Sequence, residues 1–80
     1  MGEYRYTVYG SPSCTQCKVC KKLFNQKGIE YLYIDITEMT DVGANSILEY
    51  ARASGLGNLP IVIDNETGNV VRWQEVLRNA

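Results

Sequence analysis

The 80-residue sequence has no histidine, no long apolar run and no excess of either charge, with eight basic side chains against nine acidic ones. Without an apolar stretch of about 20 residues, no segment is expected to span a membrane. A net charge of -1 and a sequence pI of about 5.3 argue against nucleic-acid binding. The first residues, 1–5, lack the apolar stretch of a signal peptide, so we expect a cytoplasmic protein.

Length and composition limit the size of the hydrophobic core. With 45% hydrophobic residues and almost no net charge, the chain is too apolar to be disordered. A chain of this length buries only a modest core, and no linker or repeat divides it. We therefore expect residues 1–80 to form one domain, and the protein to be a monomer.

The cysteines are few and clustered, since all three fall within seven residues as Cys14, Cys17 and Cys20. An odd, clustered set argues against the disulfide framework of a small secreted protein. In a reducing compartment, this spacing indicates either redox catalysis or a metal site.

Strand-like and helix-like segments alternate along the chain in the order β-α-β-α-β-β-α. Aromatic and β-branched runs predict the strands, and apolar residues at helical spacing predict the helices. A helix between the first two strands makes them parallel, and a polar turn makes the last two an antiparallel hairpin. This order predicts an α/β fold with a four-stranded mixed sheet flanked by helices. The predicted strands are residues 5–9, 31–36, 59–64 and 70–73, and the predicted helices run from the N-cap Ser13 to Gly28, from about 40 to 54 and from about 74 to 79.

The pair Cys14 and Cys17 lies where the first strand passes into the first helix. At the helix N-terminus, unpaired backbone N–H groups and the helix dipole favour the thiolate of Cys14. Cys17 lies nearly one turn further on the same side, close enough to form a disulfide with it. The spacing therefore predicts Cys14 as the nucleophile and Cys17 as the resolving cysteine of a dithiol enzyme.

All four lysines of the chain belong to this helix, and two of them follow Cys14 closely. Lys18 and Lys21 come four and seven residues after Cys14, so both can add positive potential near its sulfur. The same lysines fit either a solvated helix face or a docking surface for an acidic partner segment.

Two other functions remain open from the residues alone. One alternative is that Cys14, Cys17 and Cys20 hold zinc or an iron–sulfur cluster, but the helical angle between them separates the first sulfur from the third. A buried, apolar role for Cys20 fits its spacing from Phe24. A non-catalytic adaptor that only docks a partner is the second alternative, and the presence of both Cys14 and Cys17 argues against it.

Several of these residues together resemble the glutaredoxin family of the thioredoxin superfamily. The resemblance rests on Tyr9, the pair Cys14 and Cys17, the helical Leu23–Phe24 and the segment 59–62. It implies a thioredoxin-like (glutaredoxin) fold, a cis bond before Pro60, and reduction of protein disulfides. The substrate-binding residues that it implies are Tyr9, Thr15, Gln16, Leu59 and Pro60.

The resemblance leaves the electron source open. The inner pair Thr15–Gln16 is similar to that of NrdH-type redoxins, which reduce ribonucleotide reductase, whereas Ser11 and residues 70–74 differ from the glutathione-binding motifs of ordinary glutaredoxins. Glutathione and thioredoxin reductase are therefore both candidate reductants, and no bound cofactor is expected. Trp73 is expected either near the active site or over the end of the sheet, and Arg72 either at a substrate carboxylate or in solvent.

Overall fold

The computed structural model describes residues 4–79 as a four-stranded sheet with helices on both faces. No helix in this part of the chain has the length and apolar character needed to cross a membrane. The elements are β1 (Tyr6–Gly10), α1 (Thr15–Lys27), β2 (Tyr31–Asp35), a 3-10 helix (Ile36–Glu38), α2 (Asp41–Ala53), β3 (Ile61–Asp64), β4 (Val70–Val71) and α3 (Trp73–Arg78).

The strand order is β2-β1-β3-β4, which places β1 and β3 in the centre of the sheet. β1 pairs with β2 in parallel, and Val8 lies opposite Tyr33 in that register. β1 pairs with β3 antiparallel, and β3 pairs with β4 antiparallel. The mixed sheet and its element order confirm the predicted fold.

One face of the sheet is covered by α1 and α3. Val8 from β1 and Val62 from β3 point to this face and contact Cys20 and Phe24 from α1. Val76 from α3 completes the cluster. Because side chains alternate along a strand, the tyrosines Tyr31 and Tyr33 of β2 lie on this same face.

The opposite face is covered by α2, whose buried residue is Ala51. Ile47 and Leu48 of the same helix pack there, as the predicted helical spacing requires. Ile61 and Val70 supply the sheet side of this second cluster.

The ends of α1 differ in how well the sequence predicts them. Gly28 ends the helix in the left-handed region with φ of 70°, as expected for a glycine that follows a helix. The predicted N-cap Ser13 is wrong, because the cap is Cys14, whose sulfur accepts a hydrogen bond from the Cys17 N–H. Ser13 lies instead in the turn closed by the Cys14 N–H and the Ser11 carbonyl.

The end of the chain also differs from its prediction. β4 has only two residues, and the predicted strand residue Trp73 begins α3. The carbonyl of Arg72 accepts from the N–H groups of Glu75 and Val76, so the helix starts one residue earlier than expected. A short 3-10 helix after β2 was not predicted, and Asp35 caps it by accepting from the Thr37 N–H.

Candidate active site

Cys14 occupies the start of α1, where the chain leaves the central strand β1. Its backbone is extended, with φ of -86° and ψ of 110°, as an N-cap residue requires. Its sulfur lies 3.1 Å from the Cys17 backbone nitrogen and accepts that N–H. Cys14 is partly exposed, and the helix beyond it has no acidic side chain in its first turn. Unpaired N–H groups and the helix dipole therefore favour negative charge on this sulfur.

Cys17 lies one turn into the helix and is fully buried, with 0% of its surface exposed. The two cysteines form a disulfide, with their Cα atoms 5.2 Å apart. Of this pair, only Cys14 is in contact with solvent. This difference in exposure supports the assignment of Cys14 as nucleophile and Cys17 as resolving cysteine.

The last residue of β1, Gly10, lets α1 approach the sheet at the disulfide. A Cβ atom at Gly10 would lie 2.8 Å from Cys17 Sγ and 2.6 Å from Tyr33 Oη. Any larger residue at this position would displace the helix or the tyrosine. The predicted strand ended at Tyr9, and this contact gives a physical reason for the glycine that follows it.

A cleft of about 200 Å³ lies on the Gln16 side of the CxxC motif, and neither Cys14 nor Cys17 is among its lining residues. Gln16, which lies between the two cysteines in sequence, forms the α1 side of the cleft. Leu59 and Pro60 form a second side, and Arg72 and Trp73 form a third. Three segments that are far apart in the sequence therefore meet at the CxxC motif.

The peptide bond between Leu59 and Pro60 is cis, as predicted. Pro60 itself is buried, whereas Leu59 is partly exposed and also packs against the second core cluster. Both residues line the cleft together with Gln16, so three of the predicted substrate-binding residues lie in one place.

Two predicted substrate-binding residues lie elsewhere. Tyr9 is half-buried in the second core cluster, where burial raises the pKa of its hydroxyl. Thr15 is exposed as the first residue of α1. Neither belongs to the residues that line the cleft, although Thr15 directly follows Cys14.

The two lysines predicted to act on Cys14 differ in their surroundings. Lys18 is exposed on α1. Lys21 is partly buried, and its Nζ atom lies 4.1 Å from the centre of the Tyr33 ring. Lys21 therefore places its charge over a tyrosine that neighbours Cys17.

Cys20 is the third cysteine, and it is buried among the apolar residues of the first core cluster. Burial raises the pKa of its thiol to about 12, so it stays protonated at neutral pH. Within residues 4–79, no group of three or more histidine, cysteine, aspartate and glutamate side chains is placed to hold a metal ion. Cys20 thus fills the apolar role expected from its spacing.

Trp73 meets both expectations stated for it, because it lines the cleft and also packs against the first core cluster. Arg72 is exposed and lines the same cleft. Asn58 and Gln74 are further lining residues that sequence analysis did not single out, and their only signal was adjacency to Leu59 and Trp73. The neighbour of Cys17, Tyr33, was also missed, since its proximity depends on the pairing of β1 with β2.

Chemically, the site combines a partly exposed cysteine and a buried cysteine, joined by a disulfide, with a cleft that is lined by Gln16 between them. Such a pair can alternate between dithiol and disulfide without a metal or an organic cofactor. The cleft has polar and cationic side chains from Gln16, Arg72 and Gln74 together with apolar surface from Leu59 and Trp73.

Solved structures share this architecture. A glutaredoxin from Methanosarcina mazei Go1 superposes with a TM-score of 0.73 at 20% sequence identity, covering 95% of this chain and 77% of that one. The glutaredoxin of a buckwheat glutaredoxin–glutathione complex gives 0.72 at 23% identity, with 95% and 67% covered. Methanosarcina acetivorans methanoredoxin gives 0.67 at 21% identity, with 91% and 80% covered. These matches confirm the thioredoxin-like glutaredoxin fold.

Sequence comparison identifies the family. No curated protein sequence matches the chain at a significant level. The family model for glutaredoxin, in contrast, matches residues 6–66. That segment runs from β1 through the CxxC motif to the turn after β3 and includes Leu59 and Pro60. The chain therefore belongs to the glutaredoxin family.

Proposed function

We propose that the protein is a thiol-disulfide oxidoreductase that reduces protein disulfides with Cys14 and Cys17. One observation carries this proposal: a partly exposed sulfur caps the N-terminus of a 13-residue helix and lies at disulfide distance from a buried sulfur. The helix N-terminus favours the attacking thiolate of Cys14, and burial shields the thiol of Cys17 from solvent until the resolving step.

The proposed cycle has two thiol–disulfide exchanges. The Cys14 thiolate attacks one sulfur of the target disulfide, and the other target sulfur leaves as a thiolate. Cys17, as a thiolate, then attacks Cys14 Sγ and releases the rest of the target. Two electrons have passed to the target, and the Cys14–Cys17 disulfide remains to be reduced by an external thiol. The cycle needs no bound cofactor.

We assign the cleft to the substrate segment that carries the reacting sulfur. By resemblance to the family, the backbone of Leu59 pairs with an extended peptide, and Trp73, which lines the cleft, offers an apolar wall. Arg72 suits a carboxylate, such as that of glutathione or of an acidic peptide. Because glutathione and a peptide share this chemistry, both fit as the thiol partner.

For the physiological partners we propose a disulfide-containing protein such as ribonucleotide reductase, in the reducing environment of the cytoplasm. The support is the resemblance of the Thr15–Gln16 pair to that of NrdH-type redoxins. Either glutathione or thioredoxin reductase supplies the electrons. The exposed Lys18 and its lysine neighbours on α1 offer positive charge to an acidic partner surface.

NADPH consumption with a disulfide substrate tests both the activity and its electron source. We expect turnover with at least one of two systems run in parallel: glutathione with glutathione reductase, or thioredoxin reductase alone. Cys14→Ser should reduce the rate to background, because the attacking sulfur is gone. Cys17→Ser should accumulate a mixed disulfide with the target, which mass spectrometry detects.

Cys20→Ala is the matched control, since it removes the third sulfur without touching the disulfide pair. It should retain the wild-type rate. Loss of turnover in Cys20→Ala together with persistent turnover in Cys14→Ser would contradict the assignment. Absence of turnover with both reductants would favour a cluster-binding or adaptor function.

A further inference from the structure

The surroundings of the resolving cysteine contain a hydroxyl group that the exchange cycle has not used. Tyr33 of β2 and Cys17 of α1 both come close to Gly10 at the end of β1. A single point, the Cβ position of Gly10, lies 2.6 Å from Tyr33 Oη and 2.8 Å from Cys17 Sγ. The hydroxyl and the buried sulfur are therefore neighbours across the bare backbone of a glycine.

The two tyrosines on this face of β2 differ in how their hydroxyls are used. Tyr31 Oη donates to Asn25 Oδ1 at 3.1 Å and lies 3.5 Å from the Lys21 carbonyl. Among the hydrogen bonds within residues 4–79, none involves Tyr33 Oη. Within the described residues the Tyr33 hydroxyl therefore has no acceptor, whereas the Tyr31 hydroxyl is already engaged.

Cys17 needs such a partner because a buried sulfur resists ionisation. Cys20, three residues further along the helix, is equally buried in the first core cluster, and burial raises the pKa of its thiol to about 12. A thiol in that condition is inert at neutral pH. Cys17 must nevertheless become a thiolate to attack Cys14, so a group near its sulfur has to stabilise the negative charge.

We propose that Tyr33 is a further catalytic residue of the dithiol cycle, whose hydroxyl donates a hydrogen bond to Cys17 Sγ whenever that sulfur carries negative charge. This inference rests on the proposed function. The contact forms when the disulfide opens, because in the oxidised protein Cys17 Sγ is bonded to Cys14 and carries no charge.

The step balances without any further reactant. In resolution, Cys17 releases its proton to solvent and is held as a thiolate by the O–H of Tyr33. It then forms the bond to Cys14 Sγ, while the bond between Cys14 and the target breaks and the target leaves as a thiolate. In reduction by an external thiolate, the bond from Cys14 to Cys17 breaks, and Tyr33 stabilises Cys17 as the leaving group. Tyr33 keeps its own proton throughout.

The charged and titratable groups around Tyr33 favour the protonated form of its hydroxyl, which can donate a hydrogen bond. Burial raises the pKa of the Tyr33 hydroxyl, and the neighbouring Asp35 carboxylate raises it further, with smaller effects from Cys20 and Tyr31. From α1, Lys21 lies over the ring face of Tyr33. From β1, the hydroxyl is close to Gly10, which has no side chain. The phenol therefore remains protonated in the neutral range, where it donates rather than accepts.

Tyr33→Phe tests the proposal because it removes the hydroxyl and retains the ring beneath Lys21. The reduced protein is mixed in a stopped-flow instrument with an aromatic disulfide that releases a coloured thiolate at each exchange. The first phase reports attack by Cys14, and the second reports resolution by Cys17. Tyr31→Phe is the matched control, since its hydroxyl is bonded away from the sulfur.

We expect Tyr33→Phe to leave the first phase unchanged and to slow the second phase about three- to tenfold near neutral pH. The loss of the hydrogen bond makes the Cys17 thiolate rarer, but it also makes that thiolate more nucleophilic, which offsets part of the effect. The difference in second-phase rate between the wild type and Tyr33→Phe should disappear in alkaline solution, where Cys17 ionises without the hydrogen bond. Tyr31→Phe should leave both phases unchanged. Thermal unfolding of both variants checks that the fold is retained.

The outcomes separate this inference from the function on which it rests. An unchanged second phase in Tyr33→Phe would overturn the role of Tyr33 while leaving the dithiol cycle intact. Equal slowing in both variants, or a deficit that persists at alkaline pH, would assign Tyr33 a packing role instead. A wild-type first phase no faster than that of an ordinary thiol would overturn the proposed function itself.

Discussion

At the scale of single residues, Cys14, Cys17 and Cys20 have the same side chain but three different surroundings at the start of α1. Cys14 caps the helix and reaches solvent, Cys17 is buried beside Gly10, and Cys20 is buried among apolar side chains. Sequence spacing predicted the closeness of Cys14 to Cys17 and the burial of Cys20, because on a helix three residues are nearly one turn. It placed the cap at Ser13 and not at Cys14. The spacing contained no information about Tyr33, which approaches from another strand.

The thiol of Cys20 should make the protein less stable in alkaline solution. Its pKa is raised to about 12 in the folded protein, whereas in the unfolded chain it is about 8.5. Stability is therefore fully present below the unfolded value and declines as pH rises between the two, because only the unfolded state loses its proton. We expect the free energy of unfolding to fall by about 1.4 kcal/mol per pH unit in that interval because of Cys20.

Urea denaturation of the wild type and Cys20→Ala between neutral pH and about pH 11 measures this contribution. Removal of the thiol should make the loss of stability less steep, although tyrosines such as Tyr9 add their own alkaline dependence in both proteins. Parallel pH curves for the two proteins would show that Cys20 ionises as easily in the folded state as in the unfolded state.

At the scale of secondary-structure elements, the helix that carries the site begins with one of its own reacting groups. The prediction placed the cap at Ser13, because serine is a preferred N-cap residue. The turn closed between Ser11 and Cys14 moves the first helical residue to Thr15, so the sulfur of Cys14 receives the N–H instead. Which of two adjacent residues caps a helix depends on the incoming turn, which spacing alone does not determine.

The capping role predicts that two substitutions of Cys14 differ in stability although both abolish activity. Under reducing conditions, Cys14→Ser should be about 1 kcal/mol more stable than Cys14→Ala, because a serine oxygen also accepts the Cys17 N–H and alanine cannot. Denaturant unfolding measures the difference. The same pair of substitutions at Thr15, inside the helix, should show no advantage for serine. An advantage of equal size at both positions would exclude capping as its cause.

The boundary between β4 and α3 is the second place where an element was predicted incorrectly. Val70–Val71–Arg72–Trp73 has the β-branched and aromatic composition of a strand, so the sequence favoured four strand residues. Trp73 instead packs into the first core cluster from the start of α3. Tertiary packing thus overrides local propensity, and the override places Trp73 and Arg72 on the cleft.

At the scale of the whole molecule, an ion pair joins the beginning of β1 to the end of β3. Arg5 Nε donates to Asp64 Oδ1 at 3.2 Å, across 59 positions of sequence. Asp64 is the one buried charged residue among those described, and it also accepts from the Glu66 N–H. The hydrogen bond from Arg5 holds the pKa of Asp64 below its usual value.

This lowered pKa predicts a defined loss of stability in acid. A carboxyl with a lowered folded pKa contributes stability above its unfolded value of about 3.9, and the contribution disappears as pH falls through the folded value. Asp64→Asn should therefore have a lower urea midpoint than the wild type at neutral pH. In strong acid, once Asp64 is protonated in the folded protein as well, the two proteins should become alike.

The exposed pair of Arg78 and Glu75 provides the control, because both side chains are half-exposed or more. Glu75→Gln should leave the urea midpoint nearly unchanged at neutral pH, as expected for a surface ion pair. If the difference between the wild type and Asp64→Asn persisted undiminished in strong acid, the effect would come from packing and not from charge.

The local features follow from the sequence alone: the helices and their periodicity, the glycine that ends α1, and the spacing of Cys14 and Cys17. These depend on residues a few positions apart, whose relation is set by a regular backbone. Which residues surround the dithiol follows only from the packing of distant segments. Gln16, Leu59 and Arg72 line one cleft, and Tyr33 and Cys17 both approach Gly10, because the order and register of the strands join segments that no local pattern relates.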